Sequence, residues 1–196
     1  MKLKFENQAF QLDAIASTVN LFNGMQSLAL SEQLANQNEI LSYDLVANGL
    51  QLNELQLLKN LQSIQLLNSL ENYATELYYG EYAFKRKDDA GNEIEPLIKI
   101  PNVSIEMETG TGKTYVYLRT AFELNKRYGL TKFIVVVPSD AIRAGVLKSL
   151  EITKEHFKSE YNNVSYDYYQ YDSEKISKVR DFATTNSIQI MVMTIA

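Results

Sequence analysis

Cysteine is absent from the 196 residues and histidine occurs once. Without cysteine there is no disulfide framework and no thiolate metal site. With His156 alone there is no histidine cluster, so zinc chemistry and Ser-His or Cys-His triads lose their ingredients. Long apolar runs are missing as well. None approaches the ~18 residues of a membrane span, and the opening Met1-Lys2-Leu3-Lys4-Phe5-Glu6 has no apolar stretch of the signal-peptide kind. The expectation is a cytoplasmic chain with no membrane association. Positive charge is scarce too: 19 Lys and Arg stand against 24 Asp and Glu, a net charge of -5. That excludes the overall basic field many nucleic-acid binders use, so any such site has to be local.

What is present is a globular composition, 45% hydrophobic and 22% charged, long enough for one domain with a core and an appendage. Residues 2 to 6 alternate loosely, as a short edge strand does. Asn7 then offers a cap to a helix in which Leu12, Ile15, Val19 and Phe22 recur at spacings of three and four, with Gly24 at its end. The stretch to Leu50 is rich in Asn, Gln, Ser and Leu without a clean period and reads as short helices and loops. From Asn53 as cap, Leu57, Leu61, Ile64, Leu67 and Leu70 form a second helical stripe that the pattern extends through Leu77; the regular leucines favour a folded helical subdomain over low complexity. Lys85 to Glu93 is charged and then turn-forming, an exposed hairpin or loop.

After Pro101 the texture changes. Val103 to Glu106 reads as a strand, then come a glycine turn, a helix from Lys113 to about Tyr128, and the apolar strand Phe133 to Val137 ended by Pro138. A helix over Ala141 to Leu150, a Tyr-rich strand over Val164 to Tyr171, a helix over Ser173 to Ala183 and a strand over Ile188 to Met193 complete the series. Strands alternating with helices predict an α/β fold with a parallel sheet. The organisation expected is an N-terminal strand and helix over 1–25, a helical insertion and loop over 26–95, and an α/β unit over 96–196. No solenoid-period repeat is visible.

The segment between the strand and the helix, Met107-Glu108-Thr109-Gly110-Thr111-Gly112-Lys113-Thr114, has the make-up of a phosphate loop. Two glycines let the backbone curl so that N–H groups point at phosphate oxygens, and the following helix N-terminus adds partial positive charge. Lys113 reaches the outer phosphates as a mobile cation and the Thr114 hydroxyl takes a place on Mg²⁺. The full pattern asks for glycine where Met107 stands, a departure that superfamily 2 helicases and translocases share. The alternative, a glycine turn with Lys and Thr there by chance, leaves the agreement of strand context, both glycines, Lys and Thr unexplained.

Ser104 to Arg119 closely resembles helicase motif I of the Res subunit of type III restriction enzymes, the Met-Glu-Thr lead being characteristic of that group. Phe133 to Ser139, with Ala141-Ile142-Arg143 and Gly145 to Lys148, resembles the same family's motif Ia. Phe10 to Ile15 resembles the helix carrying an adenine-reading Gln upstream of motif I, and the helical stretch Asn53 to Gln65 looks like the segment preceding it. The resemblance implies a RecA-like α/β fold, the incomplete first half of a two-domain motor with an N-terminal helical insertion. It implies ATP and Mg²⁺ as cofactors, held by Gln11, Thr109, Gly110, Thr111, Gly112, Lys113 and Thr114, with Lys113 the sole catalytic residue and Thr114 the metal contact. It further implies double-stranded DNA as substrate and a DNA methyltransferase as partner. By position in the family, Pro138, Ser139 and Arg143 hold the sugar-phosphate backbone, with Lys148 nearby on the same helix and Thr194 in the next contacting element. From the residues alone, Ser139 serves equally as a helix cap and Arg143 as a solvated face.

The acidic box that binds Mg²⁺ in this family has no counterpart: no Asp-Glu pair follows an apolar strand, and Asp140 reads as a helix cap. The sequence stops at Thr194-Ile195-Ala196 directly after a strand, so it is expected to be a fragment without ATPase turnover of its own. Tyr166, Tyr168, Tyr169 and Tyr171 are read as a half-buried strand in preference to a base-stacking surface. His156 is read as an exposed helix residue without a role. Two rival readings stand beside the first: another superfamily 2 motor, of type I restriction or repair, and a nucleotide-binding module that never hydrolyses ATP and docks a partner on residues 26–95.

Overall fold

A computed structural model describes residues 5–27, 46–83, 85–88 and 90–195. The helices are α1 (Ala9–Asn20), α2 (Glu54–Leu67), α3 (Lys113–Tyr128), α4 (Asp140–Glu160) and α5 (Ile176–Thr184). The strands are β1 (Tyr78–Ala83), β2 (Arg86–Lys87), β3 (Glu93–Ile94), β4 (Leu97–Asn102), β5 (Lys132–Val137), β6 (Tyr166–Gln170) and β7 (Ile188–Thr194). Strands β5, β7 and β6 form a parallel sheet in that order, with Val137 opposite Thr194 and Tyr166 opposite Ile188. This is the α/β arrangement of a partial RecA-like fold.

The central position of β7 explains its composition. Ile188, Gln189, Ile190, Met191 and Val192 are all buried, as a strand flanked on both edges requires. The outer strand β5 alternates instead: Val137 is buried, whereas Ile134 and Val136 are about half exposed, at 54% and 52%. On the packed face α3 and α4 lie against the sheet through Leu118, Phe122, Val146, Leu150 and Phe157. Phe122 stacks on Phe157 at 4.5 Å between ring centroids and meets Tyr166 edge-on at 4.9 Å, each such pair adding about 0.5–1.5 kcal/mol beyond area burial. The opposite stripe of α3, with Val116, Leu124 and Tyr128, packs on Ile15 and Val19 of α1.

Local chemistry sets most boundaries. Asn53 caps α2 by accepting from the Gln56 backbone N–H at 2.9 Å, and Ser139 caps α4 by accepting from that of Ile142 at 3.4 Å. Asn60, buried on α2, donates to the carbonyls of Leu21 and Asn23, both at 2.8 Å, and so satisfies acceptors that the end of α1 leaves open. The Tyr-rich strand is half-buried as read, with Tyr166 inside and Tyr171 at the surface.

Several expectations are corrected. Residues 1–4 lie outside the described residues, and Phe5 and Glu6 are not in a strand. Gln8, not Asn7, stands at the N-cap of α1. Helix α2 stops at Leu67, because Asn68 folds its side chain back onto the Ile64 carbonyl and Ser69 turns to φ 55°. Val103 to Glu106 is not a strand; β4, just before it, pairs antiparallel with β1 instead, with Tyr82 opposite Ile98 and Tyr78 opposite Asn102. A separate short antiparallel pair, β2–β3, has its turn held by the Asp88 carboxylate accepting from the backbone N–H groups of Ala90 and Asn92. Helix α4 runs ten residues past Leu150, because Thr153 and Phe157 continue its buried stripe. Part of the 26–50 stretch, residues 28–45, lies outside the described residues. Asn48 beyond it accepts from the N–H groups of Thr131 and Lys132 and donates to the Lys132 carbonyl, which fixes the start of β5. Among the described residues no helix is long and apolar enough to cross a membrane.

Candidate functional site

The loop over Met107 to Gly112 ends in α3, with Gly112 at the N-cap. Gly110 and Gly112 both sit at φ 83°, a conformation that a Cβ disfavours. A Cβ on Gly110 would meet open space, whereas one on Gly112 would come within 2.6 Å of the Gln11 amide nitrogen. Among the described residues no acceptor is found for the backbone N–H groups of Gly110, Thr111 and Gly112, so the curl presents uncommitted donors beside the positive end of a 16-residue helix. An oxyanion fits this cradle.

Lys113 folds back over the loop and donates to the carbonyls of Met107 at 2.5 Å and Glu108 at 2.8 Å; the Thr111 hydroxyl donates to the same Glu108 carbonyl at 2.7 Å. The Lys113 side chain is exposed, so an anion can reach its ammonium from solvent. Thr114 follows on the first turn of α3. Burial raises the phenol of the neighbouring Tyr117, and a hydrogen bond with the Thr114 side chain works against that rise. Thr109 is exposed and makes no side-chain hydrogen bond among the described residues.

Gln11 arrives from the other end of the chain. Its Nε2 donates to the Thr111 carbonyl at 2.8 Å. It lines a cleft of about 400 Å³ with Phe5, Gln8, Gly112, Thr114 and Tyr115, closed on the far side by Ser149, Ile152 and Thr153 of α4. A larger groove lies between Phe10 and Ala14 of α1, Leu61 and Ile64 of α2, and Ile105 and Met107, with Asp13, Gln65, Glu106 and Glu108 also on its wall.

Beneath the cleft lies a polar network that sequence reasoning missed. Arg119, 5% exposed on α3, donates to Asn7 Oδ1 at 2.5 Å, to the Tyr115 hydroxyl at 3.0 Å, to the Tyr161 hydroxyl at 3.2 Å and to Glu160 at 2.9 Å. Tyr161 donates its hydroxyl to Glu123 at 2.7 Å, and burial followed by that hydrogen bond pushes its phenol far up. His156 is not the free surface residue expected. It stacks on Phe5 at 4.5 Å between ring centroids and shares a 2.8 Å hydrogen bond with the Tyr115 hydroxyl. Burial lowers its pKa; Glu160 opposes that and Arg119 adds to it. The one legible signal was an arginine between Leu118 and Thr120 on the inward stripe of α3, where an unpaired charge is not tolerated.

At the carboxyl ends of β5 and β7 a second cluster forms. Pro138 and Ser139 follow Val137, which pairs with Thr194, and Arg143 donates to the Thr194 hydroxyl at 3.2 Å while pairing with Asp140 at 3.1 Å. Thr194, 51 residues from Arg143 in sequence, thus shares one edge with Pro138, Ser139 and Arg143. Ser139 is committed to capping α4, and Asp140 is the first residue of the helix, not its cap. Lys148 lies a little over one turn further along α4, in an exposed pair with Glu151. Among the described residues there is no group of three or more His, Asp or Glu able to hold a metal ion.

A family model described as type III restriction enzyme, res subunit, matches residues 50–196. The chain belongs to this family. Over 130 residues it is 36% identical to the EcoPI Res subunit of Escherichia phage P1, a match covering 65% of this chain and 11% of that protein. It is 49% identical over 61 residues to the EcoP15I Res subunit of Escherichia coli, covering 30% and 6%, and 43% identical over 82 residues to the StyLTI Res subunit of Salmonella typhimurium, covering 38% and 8%. The chain therefore spans only a small part of the length of these Res relatives. These relatives are named as Res subunits of type III restriction-modification enzymes.

Proposed function

We propose that this chain is the N-terminal part of the ATP-dependent translocase subunit of a type III restriction enzyme, and that it binds Mg·ATP at the loop Thr109 to Thr114. The observation that carries this reading is the hydrogen bond from Gln11 to the Thr111 carbonyl. It brings the amide suggested for adenine recognition onto the loop suggested for phosphate. In this reading the N–H groups of Gly110, Thr111 and Gly112 hold phosphate oxygens, and Lys113 leaves the Met107 and Glu108 carbonyls to neutralise the outer phosphates. Thr114 gives its hydroxyl to Mg²⁺, and Gln11 reads the base edge from the side cleft. Bound Mg²⁺ supplies charge neutralisation on the phosphates.

Along the strand ends, Pro138, Ser139, Arg143 and Thr194 form the contact with the sugar-phosphate backbone of duplex DNA, which positions without reading sequence. The parent takes its recognition sequence from a methyltransferase partner and works in the cytoplasm. Residues 1–25 supply the base-reading helix, 26–95 the insertion, and 96–196 the first part of the motor domain. No adjacent Asp-Glu pair follows β5 or β6, and in this reading these 196 residues by themselves bind nucleotide without turning it over. Titration with ATP and Mg²⁺ tests the binding: saturable binding, weakened by about 10- to 100-fold in Lys113→Ala, is expected, and equal binding by the variant overturns it.

A further inference from the structure

We propose that Arg119 is the positioning residue for base recognition, acting through Asn7 to seat the segment that carries Gln11. The inference rests on the nucleotide reading above. Helix α1 has no side-chain cap of its own: Gln8 stands at the N-cap without a side-chain hydrogen bond. Its entry is instead held from outside. The Arg119 guanidinium, fixed by Glu160 and by the hydroxyls of Tyr115 and Tyr161, reaches across 112 residues of sequence to the Asn7 side chain at 2.5 Å. Four residues after Asn7 comes Gln11, whose 2.8 Å contact with the Thr111 carbonyl is the only hydrogen bond its side chain makes among the described residues. Phe5, two residues before Asn7, closes the same cleft by stacking on His156.

The geometry separates two tasks. Phosphate binding belongs to the loop and α3, which stand without Asn7. Base reading belongs to the segment from Phe5 to Gln11, whose seat on α3 and α4 includes the Arg119 to Asn7 bond. A planar five-donor guanidinium suits this junction because it serves acceptors in several directions at once; an ammonium in its place cannot span them. Loss of the bond therefore releases the base without releasing the phosphates. Asn7 is exposed, so its removal probes the link without a cavity.

The test is equilibrium titration of the full chain with Mg²⁺ complexes of ATP, GTP and inorganic tripolyphosphate, on the parent, Asn7→Ala, Arg119→Lys, Gln11→Ala and the double variant Gln11→Ala with Asn7→Ala. Expected are a parent preference for ATP over GTP, its reduction by about tenfold in Asn7→Ala and Arg119→Lys, as for loss of a strong hydrogen bond, and tripolyphosphate affinity within about twofold of the parent. The double variant should match Gln11→Ala alone. An unchanged ATP:GTP ratio in Asn7→Ala, a parallel loss of tripolyphosphate binding, or additive losses in the double variant each overturn the proposal. A parent that binds neither ATP nor tripolyphosphate overturns the nucleotide reading itself, an outcome visible before any variant is compared.

Discussion

Gln11, in the first turn of α1, donates its amide to the carbonyl of Thr111 at 2.8 Å, although 100 residues separate them in sequence. The contact makes an N-terminal helix part of a loop that otherwise belongs to α3, and it fills the space a side chain on Gly112 would need. Gly112→Ala should therefore be doubly costly. The left-handed φ costs about 1–3 kcal/mol, and the new Cβ displaces Gln11. In urea denaturation Gly112→Ala should lose roughly that much stability, and adding Gln11→Ala should recover the steric part. Simple additivity of the two changes in a double-mutant cycle would count against the contact.

Lys113 tests the loop from the other side. Its side chain is exposed and, among the described residues, its ammonium is held only by main-chain carbonyls. Lys113→Ala should leave the melting transition nearly where it was, within about 0.5 kcal/mol of the parent. ATP affinity should fall by about 10- to 100-fold, the worth of a charge-assisted hydrogen bond. A variant that unfolds early and binds weakly would assign Lys113 a structural role instead.

Much of this was legible because it is local. Gly110, Gly112, Lys113 and Thr114 form one contiguous motif, and the caps Asn53 and Ser139 act within three residues of themselves. The parallel sheet followed from the alternation of apolar strands with helices. The β1–β4 ribbon did not, because its pairing joins Tyr78–Ala83 to Leu97–Asn102 across a charged stretch, and the strand signal fell on Val103 to Glu106 a few residues too late. Arg119 escaped for the opposite reason. Its partners Asn7, Tyr115, Glu160 and Tyr161 come from three different parts of the chain, and no spacing rule connects them. Asn7 looked like a helix cap, and that same short amide is what the guanidinium uses.

Asn60 shows how strongly α1 depends on the insertion. Its amide is buried against the Leu21 and Asn23 carbonyls, and its own oxygen accepts from Gln56 at 3.1 Å. Asn60→Ala should cost about 1–3 kcal/mol, because the buried Leu21 carbonyl, with the part-buried Asn23 carbonyl, loses its partner. Amide exchange should report faster opening at the end of α1 before it does so in the sheet.

Lys132, at the start of β5, gives the chain a pH dependence. Burial lowers its ammonium from 10.5 to about 8, even though it donates to the Thr185 carbonyl and lies 5.7 Å from the Phe182 ring centroid. Below about pH 8 folded and unfolded chains both carry the proton, and the cost of burying the charge is fully present. Between about 8 and 10.5 the unfolded chain holds a proton that the folded chain has released, so stability rises with pH. Relative to Lys132→Met, the parent should gain about 1 kcal/mol between roughly pH 7 and 10, a figure discounted for partial solvent exposure. A gap that stays constant across this range in paired denaturation curves rules out the shift.

The strand-end cluster makes opposite predictions for two neighbours. Arg143 bridges Asp140 at 3.1 Å and Thr194 at 3.2 Å, so its charge is held at the edge where β5 and β7 end but is partly neutralised there. If this edge meets the sugar-phosphate backbone, Arg143→Ala should weaken binding to duplex DNA about equally for all sequences and reduce the magnitude of the salt slope by about one. Asp140→Asn should do the reverse. It frees the guanidinium, removes a negative charge from the contact and strengthens binding, while losing about 0.3–1 kcal/mol of stability because the first turn of α4 gives up a favourable charge at its positive end. Affinity and stability moving in opposite directions distinguishes a DNA contact from a helix cap, since a purely structural role for Asp140 and Arg143 would lower both together in both variants.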